Sequence, residues 1–218
     1  MFIRIINLDS RPDRWKRLEH LNFQRYSAKT TSKNISLRTF CDMMHSRKTH
    51  QSIHGHGALG CYESHVGVWK EFLKSTEELC VIFEDDIDTK YIDLQIPKDC
   101  EIHLLGWCGT LKTIGNQVMP YPKEGWVGAH AYCISRRVAQ LLVDNAYPIE
   151  MQVDYYIQAI AYKYGLSITH SKNKIKQVWT GGSDVFSICL QCEWYYLFLI
   201  GIFTTILIYF IYKLIKHI

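Results

Sequence analysis

Short apolar runs rich in β-branched residues alternate along this chain with longer segments whose apolar positions recur every three or four residues. The first kind buries well as a strand, the second as a helix with one apolar face. "FIRIINL" opens the series as a buried strand. In "DSRPDRWKRLEHL", Pro12 near the front and Trp15, Leu18 and Leu21 at helical spacing predict a helix. "GALGCYESHVGVWKEFLKS" predicts a longer one, with Cys61, His65, Val66, Trp69, Phe72 and Leu73 on one face. "LCVIF" and "EIHLLGW" are further buried strands. "GAHAYCISRRVAQLLVDN" predicts a short strand running into a helix N-capped by Ser135. "EMQVDYYIQAIAYKYG" predicts a helix closed by Gly165. "LSITHS" and "IKQVW" are two short strand candidates. Such alternation implies an α/β layer fold on a largely parallel sheet. Residues 27–57 are polar, His-rich and patternless, and are expected to be largely loop.

The 218 residues suit one domain with an appendage. With 48% hydrophobic and 21% charged residues the composition is globular, not disordered. A net charge of +4 selects no partner by itself. A basic stripe with interleaved aromatics is missing, which argues against a nucleic-acid partner. A Gly-x-x-x-x-Gly-Lys-Ser/Thr loop is missing too, which argues against a P-loop enzyme. The 8 cysteines sit mostly in apolar runs and read as buried free thiols of a reducing compartment. Cys189 and Cys192 form the one Cys-x-x-Cys, without the four ligands a closed zinc site needs.

The appendage is the uncharged run "WYYLFLIGIFTTILIYFIY", residues 194–212. As a helix it is long enough to cross a hydrocarbon core of about 30 Å. Aromatic residues stand at both ends, and Lys213 and Lys216 follow as interfacial anchors. "MFIRIINLDS" is interrupted by Arg4 and is no secretory signal. The expected organisation is one α/β domain over 1–188 and a membrane anchor over 189–218. Its transmembrane helix would cover about 194–212, with the domain on the cytosolic side.

"VIFEDDIDTK" runs from an apolar strand into the carboxylates Glu84, Asp85 and Asp86. Neighbouring carboxylates raise one another's pKa, so such a cluster needs solvent, basic neighbours or a cation. In open α/β sheets ligands bind outside the carboxyl ends of the strands, where this triplet lies. If the chain stays extended, Glu84 and Asp86 point one way and Asp85 the other. All-oxygen ligation suits Mg²⁺ or Mn²⁺, which bridges to substrate phosphates and acts as a Lewis acid. On the residues alone, a solvated turn and a phosphoryl-transfer site remain alternatives.

Four ordered blocks resemble glycosyltransferase family 25, the lipopolysaccharide-biosynthesis and collagen galactosyltransferase-like group. They are "IINLDSRPDRW" (5–15), "GALGCYESHVGVW" (57–69), "VIFEDDI" (81–87), and "AYCISRRVAQLL" (131–142) with "VDYYI" (153–157). "QVWTGGSD" (177–184) is a weaker echo. The resemblance implies a GT-A-type fold, a Rossmann-like open sheet flanked by helices. It also implies an inverting transferase using a UDP-sugar, commonly UDP-galactose or UDP-glucose, with Mn²⁺ or Mg²⁺. Asp86 is then the first metal ligand, Asp85 ligates or orients its neighbours, and Glu84 contacts the ribose or a metal-bound water.

The same resemblance places Asn7, Asp9 and Arg11 at the nucleotide. There Arg11 either pairs with diphosphate or forms a salt bridge with Asp9. Arg14 reads as part of a solvated helix face. Ser64 and His65 are adjacent on a helix and do not face each other. Both are placed beside the donor, since an inverting transfer needs no covalent step, and Cys61 and Trp69 read as core. His54 and His56 in "HGHG" are not expected to bind metal. Transfer needs a base for the acceptor hydroxyl. Asp154 is the first candidate, Asp184 the second and His170 a distant third. Trp107, Trp126 and Trp179 either stack on sugar or pack. The expectation is a membrane-anchored hexosyltransferase acting on a hydroxyl of a glycan, lipid-linked glycan or protein. The alternative is a catalytically inactive family relative that serves as a membrane-tethered binding or scaffold protein.

Overall fold

The first apolar run does form a strand, β1 (Phe2–Asn7), with Ile5 and Ile6 buried on opposite faces. The computed structural model describes residues 1–37, 39, 53, 55–115, 117–119 and 126–178. The remaining strands are β2 (Gln24–Ser27), β3 (Leu79–Glu84), β4 (Ile102–Cys108), β5 (Thr113–Ile114), β6 (Gln117–Val118), β7 (Val127–Ser135) and β8 (Ile168–Ile175). The helices are α1 (Pro12–Lys16), α2 (His56–Leu73), α3 (Arg136–Asp144) and α4 (Val153–Tyr164). The main sheet has the order β2-β1-β3-β7-β4-β8. Strands β2, β1, β3, β4 and β8 run one way, and β7 runs against its neighbours β3 and β4. This is a Rossmann-like α/β sheet, largely parallel as the alternation predicts.

Alternating strand residues feed two cores. Ile82, Leu104 and Tyr132 pack under the three long helices. Val81, Phe83 and Cys133 pack on the other face with Leu18, Trp15 and the 92–96 segment. Local signals hold where they are strong. Ser135 Oγ accepts from the Val138 amide at 3.4 Å, and Gly165 closes α4 at φ 61°. Of the Trp candidates, Trp126 is core. Among the described residues Cys61, Cys80, Cys100, Cys108 and Cys133 are free thiols.

Several elements differ from expectation. The helix predicted over "DSRPDRWKRLEHL" is the short α1 followed by a 3-10 turn, Glu19–Leu21, closed by left-handed Asn22 at φ 54°. Of the two short strands predicted near the end, the first is realised as β8, which runs on to Ile175, while the second is represented beyond that residue, among the described residues, only by the isolated bridge of Gln177 to Ile87. The strand leading into α3 is not short: β7 lies between β3 and β4 and is buried along most of its length. The edge strand β2 and the β5–β6 hairpin carry no apolar alternation, because they are mostly exposed. No helix among the described residues is long and apolar enough to cross a membrane. The run 194–212 lies outside them, as do Asp184, His54, Trp179, Cys189 and Cys192.

The segment after β2 rests directly on α2. Ser64 Oγ donates to the Gly60 carbonyl at 2.6 Å and accepts from the Lys29 amide at 2.8 Å. A Cβ at Gly60 would lie 2.4 Å from the Lys29 carbonyl oxygen, so only glycine permits this approach. Gly60→Ala is expected to lower stability by about 1–3 kcal/mol through overpacking against backbone, read as a shifted urea midpoint. An unchanged midpoint would show that the segment yields freely.

Candidate active site

The carboxyl ends of β1 and β3 and the segment that follows β2 open onto one cavity of about 240 Å³, lined by Leu8, Lys29, Cys61, His65, Glu84 and Asp86 among others. This is the end of the sheet where a ligand is expected. β3 stops at Glu84, and the chain turns through Asp85 and Asp86. Each carboxylate therefore enters a different environment.

Asp85 is buried. Its Oδ1 accepts from Arg14 Nη1 at 2.8 Å and its Oδ2 from Asn7 Nδ2 at 2.7 Å. Arg17 Nη2 donates to its backbone carbonyl at 3.1 Å. Expected beside Asp86 as a metal ligand, Asp85 has both oxygens engaged by protein. Arg14 corrects the reading of a solvated helix face: it is 6% exposed and ion-paired to Asp85. α1 starts right after β1, and β1 lies beside β3, so the first helical turn meets the acidic loop.

Asp86 Oδ2 accepts from Gln177 Nε2 at 3.1 Å. Its Oδ1 is buried and has no hydrogen-bond partner. Burial, reinforced by the charges of Glu84 and Asp85, pushes its pKa up to about 7. Gln177 is held in turn, because its Oε1 accepts from Cys108 Sγ at 3.0 Å. Glu84 Oε1 accepts from His65 Nε2 at 3.2 Å and from Cys61 Sγ at 3.8 Å. Burial alone would raise the Glu84 pKa, but the hydrogen bonds from His65 and Cys61 help to outweigh it and leave it lowered. Cys61 goes the other way. Burial, then the charges of Glu84, Asp154 and Asp86, push its thiol well up, so it remains a neutral donor.

A hard divalent cation fits this arrangement. Asp86 offers a buried oxygen with no partner, and Glu84 adds a second carboxylate on the same cavity wall. The surplus negative charge that raises the Asp86 pKa is what a cation would neutralise.

The other nominated residues sit as follows. Asn7 bridges, its Oδ1 accepting from Arg25 Nε at 2.7 Å while its Nδ2 holds Asp85. Asp9 pairs with Arg25 at 2.6 Å and with Ser27 Oγ at 2.8 Å, not with Arg11. Arg11 forks onto Asp13 at 3.1 and 3.0 Å. His56 Nδ1 contacts Thr31 Oγ1 at 3.0 Å. Asp154 is buried at the start of α4. Its Oδ2 accepts from the Gly128 amide and its Oδ1 from the Tyr155 amide, both at 2.9 Å. Burial raises its pKa. His170 lies edge-on to Trp107 at 5.6 Å.

Sequence reasoning missed Arg14, Gln177 and Tyr132. Tyr132 sits in "AYCIS" two places from Ile134, on the strand face under α2, where alternation could have found it. Gln177 gave no signal beyond its place in the weak final block.

Residues 1–104 match the family model of glycosyltransferase family 25 (LPS biosynthesis protein). No curated protein matches the chain.

Proposed function

Residues 1–104 match the model of glycosyltransferase family 25, and from that premise we propose that the chain is a glycosyltransferase that transfers a hexose from a UDP-sugar to an acceptor hydroxyl with inversion and a divalent cation. The observation that carries this reading is the buried, unpartnered Oδ1 of Asp86 at a cavity on the carboxyl ends of the strands. The sheet is read as the GT-A type. Asp86 is the residue that would hold Mn²⁺ or Mg²⁺, with Glu84 on the same cavity wall reaching it through a bound water, and the bound ion supplies Lewis-acid neutralisation of the leaving diphosphate. Asp85 orders the loop by tying it to Arg14 and Asn7. Lys29 brings positive charge to the rim where an anionic donor enters.

In such a transfer the acceptor oxygen bonds the anomeric carbon as the bond to UDP breaks, and a base takes the hydroxyl proton. Asp154 is the base candidate among the described residues. Burial raises its proton affinity, and each oxygen keeps a lone pair beyond its amide bond. Asp184 is the second candidate. The acceptor is proposed to be a glycan, lipid-linked glycan or protein, brought near the site by a membrane anchor over 194–212.

The test is UDP-galactose and UDP-glucose turnover by the full chain, with and without Mn²⁺, between pH 6 and 8. Turnover is expected only with the cation. Below about pH 7 Asp86 keeps its proton, which a cation must displace, so apparent cation affinity should fall about tenfold per pH unit. A wild-type chain that neither binds nor turns over a UDP-sugar would leave the tethered-binding reading in its place.

A further inference from the structure

Beneath the cavity, a chain of hydrogen bonds leads from the core to Glu84. Trp69 Nε1 lies 3.0 Å from Tyr132 Oη, and an indole N–H can only donate. Tyr132 Oη lies 2.8 Å from His65 Nδ1. The hydroxyl has accepted from Trp69 and still has its own proton to place. Among the described residues, His65 Nδ1 is the acceptor within reach. His65 must then carry its proton on Nε2, which lies 3.2 Å from Glu84 Oε1. Trp69 and His65 are 0% exposed and Tyr132 is 2% exposed, so these polar atoms have to find partners inside the protein. Every donor then points one way, from the indole toward the carboxylate.

We propose that His65 is a positioning residue for the donor site. Held as the Nε2–H tautomer by Tyr132 and Trp69, it fixes Oε1 of Glu84 and leaves Oε2 for the cavity that Glu84 lines. There Oε2 accepts from a donor hydroxyl or a cation-bound water, a role that rests on the transferase reading. The helix supplies the spacing. His65 and Trp69 lie one turn apart on α2, so both meet the Tyr132 hydroxyl projecting from β7.

One rival arrangement uses the same atoms. Cys61, His65 and Glu84 place ligand atoms within 4.8 Å of one another, a set that suits a thiophilic dication such as Zn²⁺. That ion would need the lone pair on His65 Nε2, moving the proton to Nδ1. Nδ1–H would then donate to a hydroxyl oxygen that already accepts from Trp69, stranding the phenolic proton. The tautomer of His65 therefore separates the two arrangements.

The experiment is ¹⁵N-histidine labelling of the full chain with two-bond ¹H–¹⁵N correlation, the His65 signals being identified by their loss in His65→Gln. The expected result is the neutral Nε2–H tautomer in the wild type and its loss in Tyr132→Phe. In the presence of Mg²⁺, affinity for UDP should fall about 10–100-fold in Tyr132→Phe and His65→Leu, as for other outer-shell partners. His65→Gln should recover part of it, since its amide can both accept from Tyr132 and donate to Glu84. If Tyr132→Phe does not fold, Trp69→Phe tests the same chain one link earlier. The Nδ1–H tautomer in the wild type, or unchanged tautomer and affinity in Tyr132→Phe, would overturn the proposal. The tautomer is read without nucleotide. A wild type that holds Nε2–H but binds no UDP thus overturns the transferase reading, and the role of Oε2 with it, while Nδ1–H overturns the relay itself.

Discussion

Asp85→Ala is expected to cost about 3–5 kcal/mol of folding stability, the usual penalty for removing one partner of a buried ion pair. The Arg14 side chain is 7% exposed and would lose its 2.8 Å ion pair with Asp85. Asn7 Nδ2 would lose its 2.7 Å acceptor in the same step. Urea unfolding of wild type and variant gives the difference directly. Asp88→Ala is the control, because Asp88 only caps a 3-10 turn through Lys90 at 3.0 Å. A loss below about 1 kcal/mol for Asp85→Ala would mean that Arg14 finds water or another partner, and Asp85 would no longer be the anchor of this loop.

Asp86→Asn should behave in the opposite way. The amide keeps an oxygen for Gln177 and removes the charge that Glu84 and Asp85 oppose. The sign follows from linkage. The folded-state pKa of Asp86, about 7, stands above its ordinary 3.8, so its contribution to stability is full below about pH 4 and is lost as pH rises to about 7. Without cation, the variant should therefore be more stable than wild type at pH 7–8, and the gap should shrink toward pH 4. With Mn²⁺ or Mg²⁺ the gap should narrow. A cation at 100 times its dissociation constant adds about 2.7 kcal/mol to a chain that binds it, and Asp86→Asn should gain none. Cation-dependent turnover should be lost with it. An equal cation-induced rise in melting temperature for variant and wild type would remove Asp86 from the site.

The paired predictions show how unevenly this site is written in the sequence. Ile5, Val81 and Phe83 announce buried strands because burial on a sheet is a local, periodic demand. The triplet announces charge at a strand end for the same reason. Nothing local marks Arg14 as buried. Its position in α1 reads as surface until β1 and β3 are laid side by side. The β2 strand was silent because an edge strand with exposed residues needs no apolar alternation. Helical spacing shows that His65 and Trp69 share a face, but not that a tyrosine hydroxyl from β7 lies between them.

By itself the sequence determined the α/β layering, the placing of an acidic cluster at the carboxyl end of a buried strand, and a match of residues 1–104 to a glycosyltransferase family. Those follow from periodicity and from motifs a few residues long. The tertiary structure decided what each carboxylate does. Asp85 is engaged by residues 71 and 78 positions away, Asp86 is steadied by one 91 positions away, and Glu84 is held by a histidine on the facing helix. Three consecutive carboxylates are chemically alike along the chain. They become an anchor, a cation candidate and a held acceptor only because folding brings a different partner to each.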